Sequence, residues 1–299
     1  MAKFQISTNR ATVDIPQGRI SYFRHGEGSP LVLLHSLALS ADMWLPVIED
    51  FTRYFEVIAL DLRGHGMSTY DGNDFSVEDM ADDLKWFLDS LNLAKVHLLG
   101  MSMGGCVAIS FASRYPEYVD RLVLCDTTAY YGDDAVQAWK GRALTALSKP
   151  RVMQIPFQTD RWFCDRFRRT NPEIVSHVVD IFLRTKPQVH AQASYALGNF
   201  DNRAKLSDIV SPTLAMTGDE DGATPPTMGE LLGREIPNAS FRLCRGLRHF
   251  AVVESPSVRS AAINHLLGID ATLNEIVDAT PCCEAFGAYS DTNHQEKRS

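Results

Sequence analysis

The 299-residue chain has no run approaching about 18 consecutive apolar residues, so nothing in it reads as a membrane-spanning helix. Its start, MAKFQISTNR, lacks an apolar stretch after a basic one and is not expected to be a signal peptide. Basic charge is in deficit: 29 Lys and Arg stand against 37 Asp and Glu, a formal net charge of -8. A surface that acidic lacks the footprint that nucleic acid requires. There is no internal repeat and no long low-complexity linker. The six cysteines, at 106, 125, 164, 244, 282 and 283, form no C-x-x-C pair and no zinc-ligand spacing with histidine. Free thiols in a reducing cytoplasm are the expectation, with no metal and no organic cofactor. No pattern speaks to the oligomeric state.

What is present is a series of short apolar runs bounded by turn residues. Leu31 to His35, Val57 to Asp61, Val96 to Gly100, Leu122 to Cys125 and Thr213 to Thr217 read as strands of a parallel sheet covered on both faces. Arg19 to Arg24 alternates and fits an outer antiparallel strand. Ser76 and Asp79 form a capping box, and Val77, Met80, Leu84, Leu88 and Leu91 follow at helical spacing. Strand–helix–strand units in series predict parallel pairing through right-handed crossovers.

The alternation stops after Asp126. The next stretch, to about Phe200, reads as helices with no strand. The expected organisation is a core over 1–127 and 206–268, a helical lid over 128–205 inserted after the sixth strand, and a tail over 269–299. The tail loses all pattern and is expected to be flexible, with a short amphipathic helix around Leu273 to Val277 as its one candidate element. Cys282 and Cys283 within it have no assignable role.

Gly100-Met101-Ser102-Met103-Gly104 is a G-x-S-x-G sequence. Composition alone produces such a motif in about one chain of this length in ten, so its context must carry it. The motif ends the apolar strand VHLLG and opens the helical stretch GGCVAISFASRY, the setting of a nucleophile elbow. A serine on so tight a turn is strained. Side chains at 100 and 104 would collide with strand and helix, which explains both glycines. The helix N-terminus favours developing negative charge.

A serine needs a base. His249 lies in LRHFAVVESP, after the last core strand and before the last core helix. His265 lies within that helix, His35 and His65 precede the serine, and His97 reads as a core residue. The acid is expected after the strand TLAMT, where Asp219, Glu220 and Asp221 stand. Asp221 is the choice; Asp219 and Glu220 read as solvated turn residues capping the helix near Pro225. Asp126, after the preceding strand, is the alternative. The acid would fix the tautomer of His249. Backbone N–H groups of Leu37 and Met103 are the expected oxyanion donors.

The runs HSLALSADMW, DLRGHGMS, GMSMGG, GDEDGATPP and RHFAVVESP, with the segment RWFCDRFRRTNPE, resemble the 3-oxoadipate enol-lactone hydrolases of the α/β-hydrolase fold. The resemblance covers residues 19–267. It implies an α/β fold with a mostly parallel twisted sheet, flanking helices and a lid. It also implies Ser102, Asp221 and His249 as nucleophile, acid and base, with Leu37 and Met103 as donors. Three departures stand out: Ala38 replaces a glycine of the oxyanion loop, Leu247-Arg248 replace an Ala-Gly pair, and the tail after Gly268 is extra.

The implied activity is opening of a small lactone or cleavage of a small carboxylic ester. Carboxylesterases and acyl-homoserine lactonases share the pattern and remain alternatives. A ligand receptor with idle chemistry is the alternative of another class. Haloalkane dehalogenation would need a carboxylate at 102. Between 130 and 200 there are ten Lys and Arg against six Asp and Glu, a basic lid on an acidic body. That predicts an anionic small-molecule partner, with Arg161, Trp162 and Trp139 as candidate binding residues.

Overall fold

The computed structural model describes residues 10–269 and 275–277. Among these residues nine strands form one sheet: β1 (Arg10–Ile15), β2 (Gly18–His25), β3 (Ser29–Leu34), β4 (Phe55–Leu60), β5 (Val96–Met101), β6 (Val119–Cys125), β7 (Thr213–Gly218), β8 (Ala239–Arg245) and β9 (Glu275–Val277). Their spatial order is β1-β2-β4-β3-β5-β6-β7-β8-β9. The pairs β1–β2 and β2–β4 are antiparallel, and every other pair is parallel. The central strands carry no polar alternation because helices cover both faces. Leu31 and Leu33 of β3 enter one core cluster with Trp44, Phe51 and Phe250. Val32 and Leu34 enter the other with Phe87, Phe111 and Leu98. Each such buried side chain contributes about 1.5–3 kcal/mol of transfer free energy.

Three helices accompany the first half of the sheet: α1 (Ile48–Thr52), α2 (Val77–Ser90) and α3 (Met103–Arg114). At the start of α2 both halves of the capping box form between Ser76 and Asp79, as their spacing predicts. Between β6 and β7 lie five helices and no strand: α4 (Ala135–Ser148), α5 (Arg151–Trp162), α6 (Asp165–Thr170), α7 (Pro172–Arg184) and α8 (Pro187–Gly198). Pro172 and Pro187 occupy first helical positions, where a missing N–H costs nothing. The core closes with α9 (Pro226–Glu235), α10 (Ala251–Glu254) and α11 (Pro256–Leu266).

The tail departs from expectation. Residues 275–277 are not helical but extend the sheet: Leu243 pairs with Glu275, Cys244 with Ile276 and Arg245 with Val277. Ile276 is buried against the core. A strand of three residues is too short to show a period, so no sequence pattern announced it. The expectations for the rest of the tail, including Cys282 and Cys283, lie outside the described residues. The four described cysteines, Cys106, Cys125, Cys164 and Cys244, are buried, and no disulfide joins them. Among the described residues no helix is long and apolar enough to cross a membrane.

Candidate active site

Ser102 is the single residue between the end of β5 and the start of α3. Its backbone sits at φ 54°, ψ -118°, a region that side-chain-bearing residues rarely adopt. The turn is anchored on both sides. The Ser102 amide donates to the Cys125 carbonyl at 3.0 Å, and the Thr127 hydroxyl donates to the Ser102 carbonyl at 2.7 Å. A Cβ on Gly100 would overlap the Gly104 carbonyl, and one on Gly104 would overlap the Leu34 carbonyl. The two glycines are therefore steric necessities of the elbow.

The loops after β7 and β8 bring two more side chains to this point. The Ser102 hydroxyl lies 2.8 Å from His249 Nε2, and His249 Nδ1 lies 2.8 Å from Asp221 Oδ2. A proton on Nδ1 leaves Nε2 free to accept from the serine. Asp221 is well supplied with other donors. Its Oδ1 accepts the amides of Ala223 and Thr224 at 2.6 and 3.1 Å, and its Oδ2 accepts the Thr224 hydroxyl at 2.7 Å. Burial works against its charge. The His249 imidazole and these hydrogen bonds outweigh burial and hold the carboxyl below the ordinary aspartate range.

The other carboxylates weighed from the sequence lie elsewhere. Asp126 is fully buried at the end of β6, with φ 48°. Its two oxygens accept the amides of Gly218 and Ala251, each at 3.0 Å. It therefore ties the root of the acid loop to the helix that follows the base. Burial first, then the charge of Asp221, push this carboxyl well above the ordinary range. Asp219 does not cap the helix after Pro225. It accepts the Gly246 amide at 2.7 Å and so braces the turn out of β8. Glu220 stands 3.5 Å from Arg248.

The loop after β3 passes beside Ser102. Ala38, where a glycine is the usual occupant, takes the left-handed conformation at φ 59°. Two groups hold it there. Its amide donates to His65 Nε2 at 3.3 Å, and its carbonyl accepts the Thr185 hydroxyl, beyond the end of α7, at 2.7 Å. Burial depresses His65 to about 3 and His35 to about 4, so both rings are neutral acceptors for backbone amides at physiological pH. Neither Leu37 nor Met103 has an acceptor for its own amide among the described residues. Leu37 faces the cavity beside Ser102; the Met103 side chain is packed in the core beneath.

A cavity of about 430 Å³ lies over Ser102 and His249. Its roof is α4 and α5, and the sequence-predicted Trp139, Arg161 and Trp162 all line it. Arg142 and Lys149 line it too, and no Asp or Glu does. Trp162 stacks on Phe250, next to His249, at 5.3 Å between ring centroids. The base loop is stitched to the roof by charge as well. Arg248, in the place of the expected glycine, reaches Asp160 at 2.9 Å. Glu254 accepts the amides of Cys164 at 2.8 Å and Arg248 at 3.2 Å. Burial raises Glu254 to about 7.

Sequence reasoning passed over His65, Thr185, Arg142 and Glu254. His65 precedes the serine in the chain, so the order expected of a base gives it no role. Only the basic composition of the 130–200 segment pointed toward Arg142.

Three comparisons bear on this arrangement. The sequence model of the alpha/beta hydrolase fold family matches residues 29–256. The (E)-2-((N-methylformamido)methylene)succinate hydrolase of Acinetobacter baylyi is 28% identical over 255 residues, covering 84% of this chain and 92% of that protein. The same organism's 3-oxoadipate enol-lactonase 2 is 26% identical over 245 residues, covering 82% and 91%. The crystal structure of the enol-lactonase from Burkholderia xenovorans LB400 superposes with a TM-score of 0.81 at 25% identity, covering 86% of this chain and all of that one.

Proposed function

The chain belongs to the α/β-hydrolase fold family, and we propose that within it the protein is a serine hydrolase of small lactones or carboxylic esters, most like the 3-oxoadipate enol-lactonases. The Ser102–His249–Asp221 relay, with both contacts at 2.8 Å on the floor of the cavity under α4 and α5, carries the proposal. Ser102 Oγ attacks the carbonyl carbon as His249 Nε2 takes its proton. The amides of Leu37 and Met103 stabilise the oxyanion, each contributing about 3 kcal/mol to the barrier reduction. His249 then gives its proton to the leaving oxygen, and the acyl-enzyme forms. Water, activated by the same histidine, hydrolyses that acyl-enzyme and restores Ser102. In a lactone the leaving oxygen stays tethered to the acyl group. Asp221 keeps the imidazole in the Nδ1–H tautomer and stabilises the imidazolium.

The five helices of 128–205 act as the lid over a core formed by 1–127 and 206–268. Trp139, Trp162 and Arg161 contact the substrate, and Arg161 receives an acidic group on it. The names of both Acinetobacter relatives describe acids, a succinate and an oxoadipate. Four buried cysteines with no disulfide among them fit a reducing compartment such as the cytoplasm.

A substrate panel tests this proposal: 3-oxoadipate enol-lactone, an acyl-homoserine lactone and neutral nitrophenyl esters, assayed with the purified chain. The acidic lactone is expected to give the highest kcat/KM. Turnover of neutral esters at the same kcat/KM would replace the lactonase assignment with a general carboxylesterase.

A further inference from the structure

Most partly buried arginines in this chain are matched. Arg63 clasps Asp83 through two bonds of 2.6 Å, and Arg259 reaches Asp50 at 2.6 Å. Arg10 pairs with Asp61 at 2.8 Å and also with Asp42. Arg151 donates to the Phe182 carbonyl and meets His190. Arg142 and Arg161 are different. Among the described residues neither makes a hydrogen bond or ion pair; each lies against an aromatic ring, Trp139 at 4.3 Å from Arg142 and Phe157 at 5.9 Å from Arg161.

Both of these guanidiniums line the cavity that holds Ser102, together with Lys149, and no acid shares that wall. Burial lowers the affinity of both for their protons. Arg161 falls to about 10, through burial first and then the charge of Arg142. Two like charges are thus held near one another, partly out of water, with no carboxylate in ion-pair contact among the described residues; the acid that Arg161 feels is Asp221, already engaged by His249. Such an arrangement is costly in an empty site and is relieved by bound anions. Each guanidinium offers a planar fork that fits one carboxylate at two points.

We infer that the substrate carries two free carboxylates besides the acyl carbon that Ser102 attacks, one received by Arg161 and one by Arg142. This deepens the serine-hydrolase proposal and rests on it for the position of the acyl carbon. A substrate with one carboxylate leaves one guanidinium bare. The cavity volume, about 430 Å³, suits a small polyacid ester rather than a long acyl chain.

The test uses three 4-nitrophenyl esters at low salt: the butyrate, the hydrogen glutarate and the monoester of propane-1,2,3-tricarboxylic acid, with none, one and two free carboxylates. In the wild-type chain kcat/KM is expected to rise about tenfold or more with each carboxylate, the increment of one charge-assisted hydrogen-bonded pair. Arg142→Met and Arg161→Met should each erase one of the two steps. Equal kcat/KM for the one- and two-carboxylate esters overturns the inference. So does the loss of both steps on either substitution, which would mean that the two arginines share one carboxylate. A second arm needs no turnover: calorimetry of the wild-type chain with glutarate and with pentanoate. Glutarate is expected to bind at least about tenfold more tightly, and equal affinities overturn the inference. Tighter glutarate binding in a protein that hydrolyses none of the esters would sink the serine-hydrolase proposal and leave the dicarboxylate site standing.

Discussion

Asp221, at the carboxyl edge of the sheet, and Arg161, in the helical roof, are both charged and both largely withdrawn from water. Four donors converge on the Asp221 carboxylate, from His249, Ala223 and Thr224. The Arg161 guanidinium lies against an aromatic ring and feels a second arginine and, at longer range, Asp221 itself, with no hydrogen-bond partner of its own among the described residues. The edge of the sheet is complete without ligand. Its geometry is set by strand ends, glycine-sized turns and backbone amides, so it can hold a reacting serine in one position. The roof carries guanidiniums without an ion-pair partner among the described residues, and these are proposed to receive the incoming substrate. On the proposed mechanism reactivity and selectivity reside in different elements of one cavity, and substitutions should separate them.

The largest separation is expected at the edge of the sheet. Asp221→Asn should lower kcat by about 10³-fold or more, because the asparagine favours the wrong imidazole tautomer. Asp126→Asn removes one of two acceptors for the Gly218 and Ala251 amides, so its main expected effect is on stability, about 1–3 kcal/mol. Steady-state kinetics and thermal melts of both variants decide the matter. A greater loss of kcat from Asp126→Asn would move the acid to the end of β6.

Thr185, just past the end of α7, ties the lid helices to the loop after β3 through one hydroxyl. Thr185→Val deletes the donor to the Ala38 carbonyl and frees a loop residue from an unfavourable conformation. A kcat lower by about tenfold with little change in KM is expected, since one misplaced oxyanion donor costs at most about 10²–10³. Thr185→Ser should recover the loss. A change confined to KM would show that the contact shapes the roof and not the oxyanion loop.

An effect on stability alone concerns the stitch between roof and base loop. Glu254 is raised from 4.5 to about 7 by burial. Between these values the folded chain holds a proton that the unfolded chain has lost, so this group makes stability fall as pH rises through the window. Its contribution is up to about 3 kcal/mol. Denaturant melts between pH 4.5 and 7.5 should show a steeper decline in wild type than in Glu254→Gln. Parallel curves would remove Glu254 from the account.

The sheet edge was far more legible in the sequence than the roof. Apolar runs ending in Gly100 and Gly218 mark strand ends, and the steric demand on Gly100 and Gly104 makes the elbow visible as a spacing. His249 and Asp221 follow from chain order on those strands. Asp219 was misplaced because its partner, the Gly246 amide, comes from the next strand's turn, a pairing no local pattern encodes. The roof was legible only as composition. Ten cations against six acids announced a basic segment. Which of them would remain unmatched depended on how five helices pack, and Arg168 proved to pair with Asp160 and Asp165 while Arg142 and Arg161 did not. β9 escaped because pairing with β8, not its own three residues, makes it a strand.

The central claim is that Ser102 is a nucleophile activated by His249, and covalent trapping tests it most directly. Wild-type chain is treated with a fluorophosphonate, and its intact mass and proteolytic peptides are measured beside those of Ser102→Ala and His249→Gln. One adduct per chain is expected, on the peptide containing Ser102, formed orders of magnitude more slowly in His249→Gln and absent from Ser102→Ala. An unmodified wild-type chain, or an adduct that persists in folded Ser102→Ala, would contradict the account.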